Sequence, residues 1–120
     1  MSELQMGTGE RRFAEIIWKN EPISSGDLAK KSEEVLGWKK TTSYTVLKRL
    51  CEKGLFQNEK GMVTSLISEE DFYAKQSEQF VSCSFGGSLP AFLAAFTRRK
   101  KLSDKELAEI QKMIDDYRGD

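Results

Sequence analysis

The chain has 120 residues, 38% hydrophobic and 32% charged, the balance of a folded protein with a large polar surface. Nineteen lysines and arginines meet nineteen acidic residues, and histidine is absent, which excludes histidine general-base catalysis and imidazole metal ligation. The longest apolar run, Ala91 to Phe96, is too short to span a bilayer, and no charged-then-apolar leader opens the sequence. The expectation is a cytoplasmic protein with no membrane insertion. Cys51 and Cys83 are expected to stay reduced, as small buried hydrophobes.

Residues 1–9 lack periodicity and read as a flexible arm. From Glu10 to Asn20, Phe13, Ile16 and Ile17 recur at helical spacing, and Pro22 ends that helix. Ile23 supplies a strand of one or two residues. Ser24 or Ser25 caps a second helix from Gly26 to about Leu36, with Asp27 in its first turn, Leu28, Ala29 and Val35 inward, and Gly37 as its stop.

A third helix is expected from about Lys40 to Lys53. At about 100° per residue, Ser43, Val46, Leu47, Leu50 and Cys51 gather on one side. Thr41, Thr42, Thr45, Lys48 and Arg49 gather on the other. That second side is rich in threonine and cations, with no carboxylate before Glu52, and it is poor in strong helix formers. Leu55 to Asn58, a turn at Glu59-Lys60-Gly61, and Met62 to Ile67 then read as a β-hairpin. Three helices followed by a two-stranded hairpin is the winged helix-turn-helix order, in which the second helix of the pair enters the DNA major groove. Here that helix is the third.

The zero net charge hides an uneven distribution. Between Gly37 and Lys60 the cations Lys39, Lys40, Lys48, Arg49, Lys53 and Lys60 face only Glu52 and Glu59, whereas the chain past Ser68 turns acidic. A basic middle suits a polyanion; a solvated helix face is the plainer reading.

Ser68-Glu-Glu-Asp71 opens a fourth helix running to about Phe85, where Gly86-Gly87 break it. Ser88 caps a fifth, striped by Leu89, Phe92, Leu93 and Phe96, with Pro90 in its first turn. Arg98-Arg99-Lys100-Lys101 closes it. Ser103 and Glu106 form a capping box for a sixth helix, with Leu107, Ile110, Ile114 and Tyr117 in register. With Phe80 and Phe85, these stripes are expected to form a homodimer interface. Packing back onto the chain's own first domain is the alternative, because small domains need extra burial. The reading is mainly α with a small hairpin: arm 1–9, winged-helix domain 10–67, helical dimerisation region 68–120.

No CxxC, HExxH, GxSxG or phosphate-cradling GxxxxGK[ST] motif is present. Gly86-Gly87-Ser88 reads as a turn between helices. The carboxylates fall on solvent-facing positions, so paired acid–base work has no support. An enzyme is not expected, nor are a cofactor or metal.

With these elements placed, the chain resembles the penicillinase-repressor family (BlaI/MecI/CopY-type regulators). The resemblance rests on Glu15-Ile-Ile-Trp18, Trp38, Thr42-x-x-Thr45-Val-Leu-Lys-Arg-Leu50-x-x-Lys53-Gly54-Leu55, Phe85-Gly-Gly-Ser88, and Leu102-Ser-Asp-Lys-Glu-Leu107. It implies a dimeric repressor on a palindromic double-stranded DNA operator, with the third helix in the major groove and the wing on the backbone. Trp38, Thr42 and Thr45 match the motif around the reading helix; Lys40, Thr41, Tyr44, Lys48, Arg49 and the wing-tip Lys60 join them by position and charge. In the antibiotic-responsive members a membrane sensor-protease system leads to cleavage at an Asn-Phe bond. Ala95-Phe96 stands there, keeping the phenylalanine but not the asparagine. The copper-responsive members' C-terminal CxCxxxxCxC is absent. The wing is shorter than the resemblance implies, and Thr64 replaces a usual tyrosine. A winged-helix protein–protein adaptor without DNA binding is the rival reading, distinguished by salt dependence.

Overall fold

The computed structural model describes residues 6–119. The element order is α1 (Thr8–Asn20), β1 (Ile23–Ser24), α2 (Ser25–Leu36), α3 (Lys40–Glu52), β2 (Phe56–Glu59), β3 (Met62–Ser65), α4 (Glu69–Phe85), α5 (Leu89–Thr97) and α6 (Asp104–Arg118). The expected arm lies outside the described residues over 1–5. Beyond them α1 begins at Thr8, two residues earlier than its apolar spacing indicated, and Met6 packs against the core.

The chain divides into two compact units, one ending at Ser77 and one beginning at Glu78. In the first, Phe13, Ala14, Ile16 and Ile17 of α1 meet Leu28, Val46, Leu47, Leu50, Leu55, Phe56, Val63 and Phe72 in one buried cluster. Full burial of such side chains stabilises by about 1.5–3 kcal/mol each. Phe72 is completely buried, with its ring 5.5 Å from that of Trp18. The opening turns of α4 therefore pack with the winged helix, past the boundary expected after Ile67.

Local chemistry explains the ends of these elements. The Ser24 hydroxyl accepts the Asp27 N–H at 3.0 Å, and Gly37 takes φ 72°, which turns the chain so that the Trp38 N–H points back to the Ser32 carbonyl at 3.4 Å, a left-handed stop that a Cβ disfavours. Val35, expected inward, is 56% exposed. It lies on the buried side of the helical wheel, yet Leu36 beside it is the residue of the last turn that packs against the core. Ser32 is buried instead, its hydroxyl donating to the Leu28 carbonyl at 2.9 Å. The three strands form an antiparallel sheet in the order β1-β3-β2. Ile23 faces Val63 across one ladder and Asn58 faces Val63 across the other.

Glu59 pairs with Met62, which leaves Lys60-Gly61 as a two-residue loop. Both take positive φ, 53° and 85°, the mirror-image turn that suits the twist of a hairpin and favours Asn-Gly. Lysine there is strained. Lys60→Asn is expected to raise unfolding free energy by about 0.5–1 kcal/mol, readable as a shift in the urea midpoint at constant m.

Candidate nucleic-acid interface

The inner face of α3 is locked into the first unit. Ser43, Val46, Leu47 and Leu50 are buried and Cys51 is half-buried. The thiol of Cys51 is pushed up from its ordinary value by that burial, so it stays protonated and poorly reactive. Cys83, also expected inside, is exposed. With its inner face held, α3 cannot rotate about its own axis, and the outer residues keep fixed directions. Lys40, Thr41, Thr42, Tyr44, Thr45, Lys48, Arg49 and Glu52 are all exposed. Thr41, Thr45, Lys48 and Glu52 follow the i, i+4, i+7, i+11 spacing of a single stripe opposite the core.

Each of these side chains offers a definite chemistry. The Thr45 hydroxyl donates to the Thr41 carbonyl at 2.9 Å. Its proton is thus committed, and the group presents oxygen lone pairs and a methyl. Those suit an amino group or a thymine methyl on a base edge. Lys40 and Lys48 supply point charges for phosphate oxygens. Tyr44 is 45% exposed on one flank of the stripe.

Two of the sequence-selected residues are placed differently. Trp38 precedes α3 and packs against the core, its ring stacked on Phe13 at 5.4 Å and 19°. Gly9 underlies it: a Cβ on Gly9 would stand 3.1 Å from the Trp38 ring. The indole holds the entry to α3 rather than standing free for a ligand. Arg49 is drawn to α1, its guanidinium 3.5 Å from one Glu10 carboxylate oxygen while the Lys53 ammonium lies 3.4 Å from the other. Glu10 is the residue that sequence reasoning missed. It lies 39 and 43 positions from its partners, so no local spacing signals it.

The wing is anchored at its base and its tip. Glu21 accepts from the Ser65 N–H and hydroxyl, each at 2.8 Å, and the Trp18 indole N–H donates to the Ile67 carbonyl at 3.0 Å. At the other end the Ser25 N–H donates to the Gly61 carbonyl at 2.8 Å. Between them Gln57 bonds Thr64 across the strands. Lys60 is exposed at the tip, held beside the N-terminus of α2.

The second unit exposes large apolar side chains among its charged ones. Phe80, Phe85 and Phe92 form an edge-to-face trio with centroids 5.6–6.1 Å apart, and Phe96 adjoins Phe92. Neither α5 nor α6 has a buried residue. Of the residues expected at an interface, Phe80, Leu89, Phe96, Leu107 and Ile114 are about half exposed, and Phe85, Phe92, Leu93 and Ile110 are partly covered. Ala95 and Phe96 lie on α5, both exposed. Ser103 and Glu106 make the expected reciprocal capping box. Among the described residues no group of three or more His, Cys, Asp or Glu is placed to hold a metal ion, and no single helix is long and apolar enough to cross a membrane.

The family model described as Penicillinase repressor matches residues 6–116. The chain belongs to the penicillinase repressor family. It is 26% identical over 119 residues to the penicillinase repressor of Bacillus licheniformis, covering 96% of this chain and 93% of that protein. It is 24% identical over 114 residues to the methicillin resistance regulatory protein MecI of Staphylococcus aureus, covering 92% and 93%. The solution structure of the DNA binding domain of the repressor BlaI superposes with a TM-score of 0.53 at 27% identity, over 58% of this chain and 90% of that one. The three helices and hairpin of this family member are thus a winged helix-turn-helix, mainly α with a small antiparallel sheet.

Proposed function

We propose that this chain is a transcriptional repressor that binds double-stranded DNA as a homodimer in the cytoplasm. The outward stripe of α3 lies in the major groove and the wing runs along the backbone. The observation that carries the reading is the stripe itself: Thr41, Thr45 and Lys48 are exposed on a helix whose opposite side is buried. The BlaI domain of similar fold is a DNA-binding domain. Lys40, Thr42, Tyr44 and Lys60 flank the stripe and complete the contact set. Two copies joined through α5 and α6 present two reading helices related by a two-fold axis, so the operator is a palindrome whose half-sites lie a whole number of helical turns apart. Regulation by a membrane sensor protease acting near Ala95-Phe96 is the finer part of the proposal; a phenylalanine at the position where the antibiotic-responsive members are cleaved supports it.

Selection of duplexes from a random library by the purified chain, followed by footprinting across a salt series, tests this reading. The expected outcome is a two-fold symmetric site whose binding constant falls steeply and linearly with salt on logarithmic axes. Recovery of no duplex refutes it and leaves a protein–protein adaptor.

A further inference from the structure

Glu10, Arg49 and Lys53 form one electrostatic group on the flank of the reading helix. Glu10 sits in the first turn of α1 with its side chain only 19% exposed, Lys53 is 25% exposed, and Arg49 reaches out to 51%. The carboxylate is thus held between Arg49 of α3 and Lys53 just past its end, where water screens it poorly.

The geometry points to Glu10 as a residue that limits how strongly this protein grips the DNA backbone. It pairs with Arg49, the more exposed of the two cations, and so withholds that positive charge from phosphates. This inference rests on the DNA-binding reading above and adds to it a control on affinity. A surface ion pair is a weak stabiliser of a fold, but its effect on DNA is larger. Each phosphate neutralised adds about 0.9 to the slope of log K against log salt concentration. Among the described residues, Lys40, Lys48 and Lys60 of the proposed contact set form no salt bridge. With so few, one more or one fewer changes binding visibly. The contact is to phosphate and therefore blind to sequence, so Glu10 lowers affinity for all duplexes alike. Such a device sets the absolute grip on DNA and leaves the preference for operator over other duplexes unchanged.

The test measures binding of the full chain and of Glu10→Gln to the selected operator and to an unrelated duplex of equal length, from 0.05 to 0.3 M salt. Glu10→Gln is expected to steepen the salt slope by about 0.9 for each subunit, about 1.8 for the dimer, and to tighten binding to both duplexes by the same factor, roughly sixtyfold near 0.1 M. In an Arg49→Gln/Lys53→Gln background the same change is expected to leave the slope unaltered. Thermal unfolding monitors the fold; if glutamine destabilises α1, Glu10→Ala, with its higher helix propensity, carries the same comparison. An unchanged slope overturns the inference. So does a shallower slope with weaker binding, which would mean that Glu10 aims Arg49 at a phosphate. A wild-type chain that binds neither duplex overturns the repressor reading itself, whereas binding with an unchanged slope overturns only the role of Glu10.

Discussion

Thr45→Ala combined with Lys48→Ala is expected to abolish operator binding in gel shifts while leaving the fold and the oligomeric state intact. Both side chains project from the outer stripe of α3, so their loss opens no cavity. Surface changes of this kind usually alter stability by no more than about 0.5 kcal/mol, and alanine has the higher helix propensity. The cost falls on the complex. In the proposed complex Thr45, with its proton given to the Thr41 carbonyl, meets a base edge through lone pairs and methyl, a contact worth about 1–3 kcal/mol. Loss of Lys48 removes one phosphate contact from each subunit and about 1.8 from the salt slope of the dimer. Together the losses amount to roughly a hundred- to a thousandfold for each half-site. An unchanged shift, with circular dichroism and sedimentation also unchanged, would mean that a different face meets the DNA. Substitution on the other side, such as Val46→Asp, buries an unpaired charge and is expected to lose binding only because the domain unfolds.

Periodicity revealed most of the first unit because its helices bury one stripe each against a shared core. Phe13, Ile16, Ile17, Leu28, Val46, Leu47 and Leu50 all go where a helical wheel puts them. The caps at Ser24, Gly37 and Ser103 were equally legible, since a cap is a local bargain between a side chain and the three or four residues beside it. Three things were not local. Val35 has the right angle on α2, yet Leu36 beside it takes the place against the core and leaves Val35 in solvent. Trp38 lies outside any helix, so no wheel could show that its ring stacks on Phe13 and rests over Gly9. Arg49 shares the outer face by angle, yet α1 places Glu10 beside it. The stripe also ends on the exposed carboxylate of Glu52. The useful part of the face is therefore its N-terminal two turns, where helix-turn-helix proteins place their base contacts.

Phe96→Asp together with Ile114→Asp is expected to convert the protein from a dimer to a monomer in sedimentation and to weaken operator binding by about 10²–10⁴. Both residues are 46% exposed, and they belong to an outer surface that also includes Phe80, Leu89, Leu107, Met113 and Tyr117. So many large apolar side chains uncovered on α4, α5 and α6 exceed what a lone soluble unit ordinarily leaves in water. A two-fold interface covers the same set on both copies at once. Joined reading helices bind as a bivalent ligand, in which the second half-site is met at an effective concentration far above that of free protein. Breaking the joint removes that advantage without touching α3, so the monomer retains its contacts to a single half-site and a salt slope about half as steep. If instead these side chains packed back on their own winged helix, the wild type would already sediment as a monomer. The aspartates would then lower the melting temperature of the first unit, and the dimeric part of the proposal would fail.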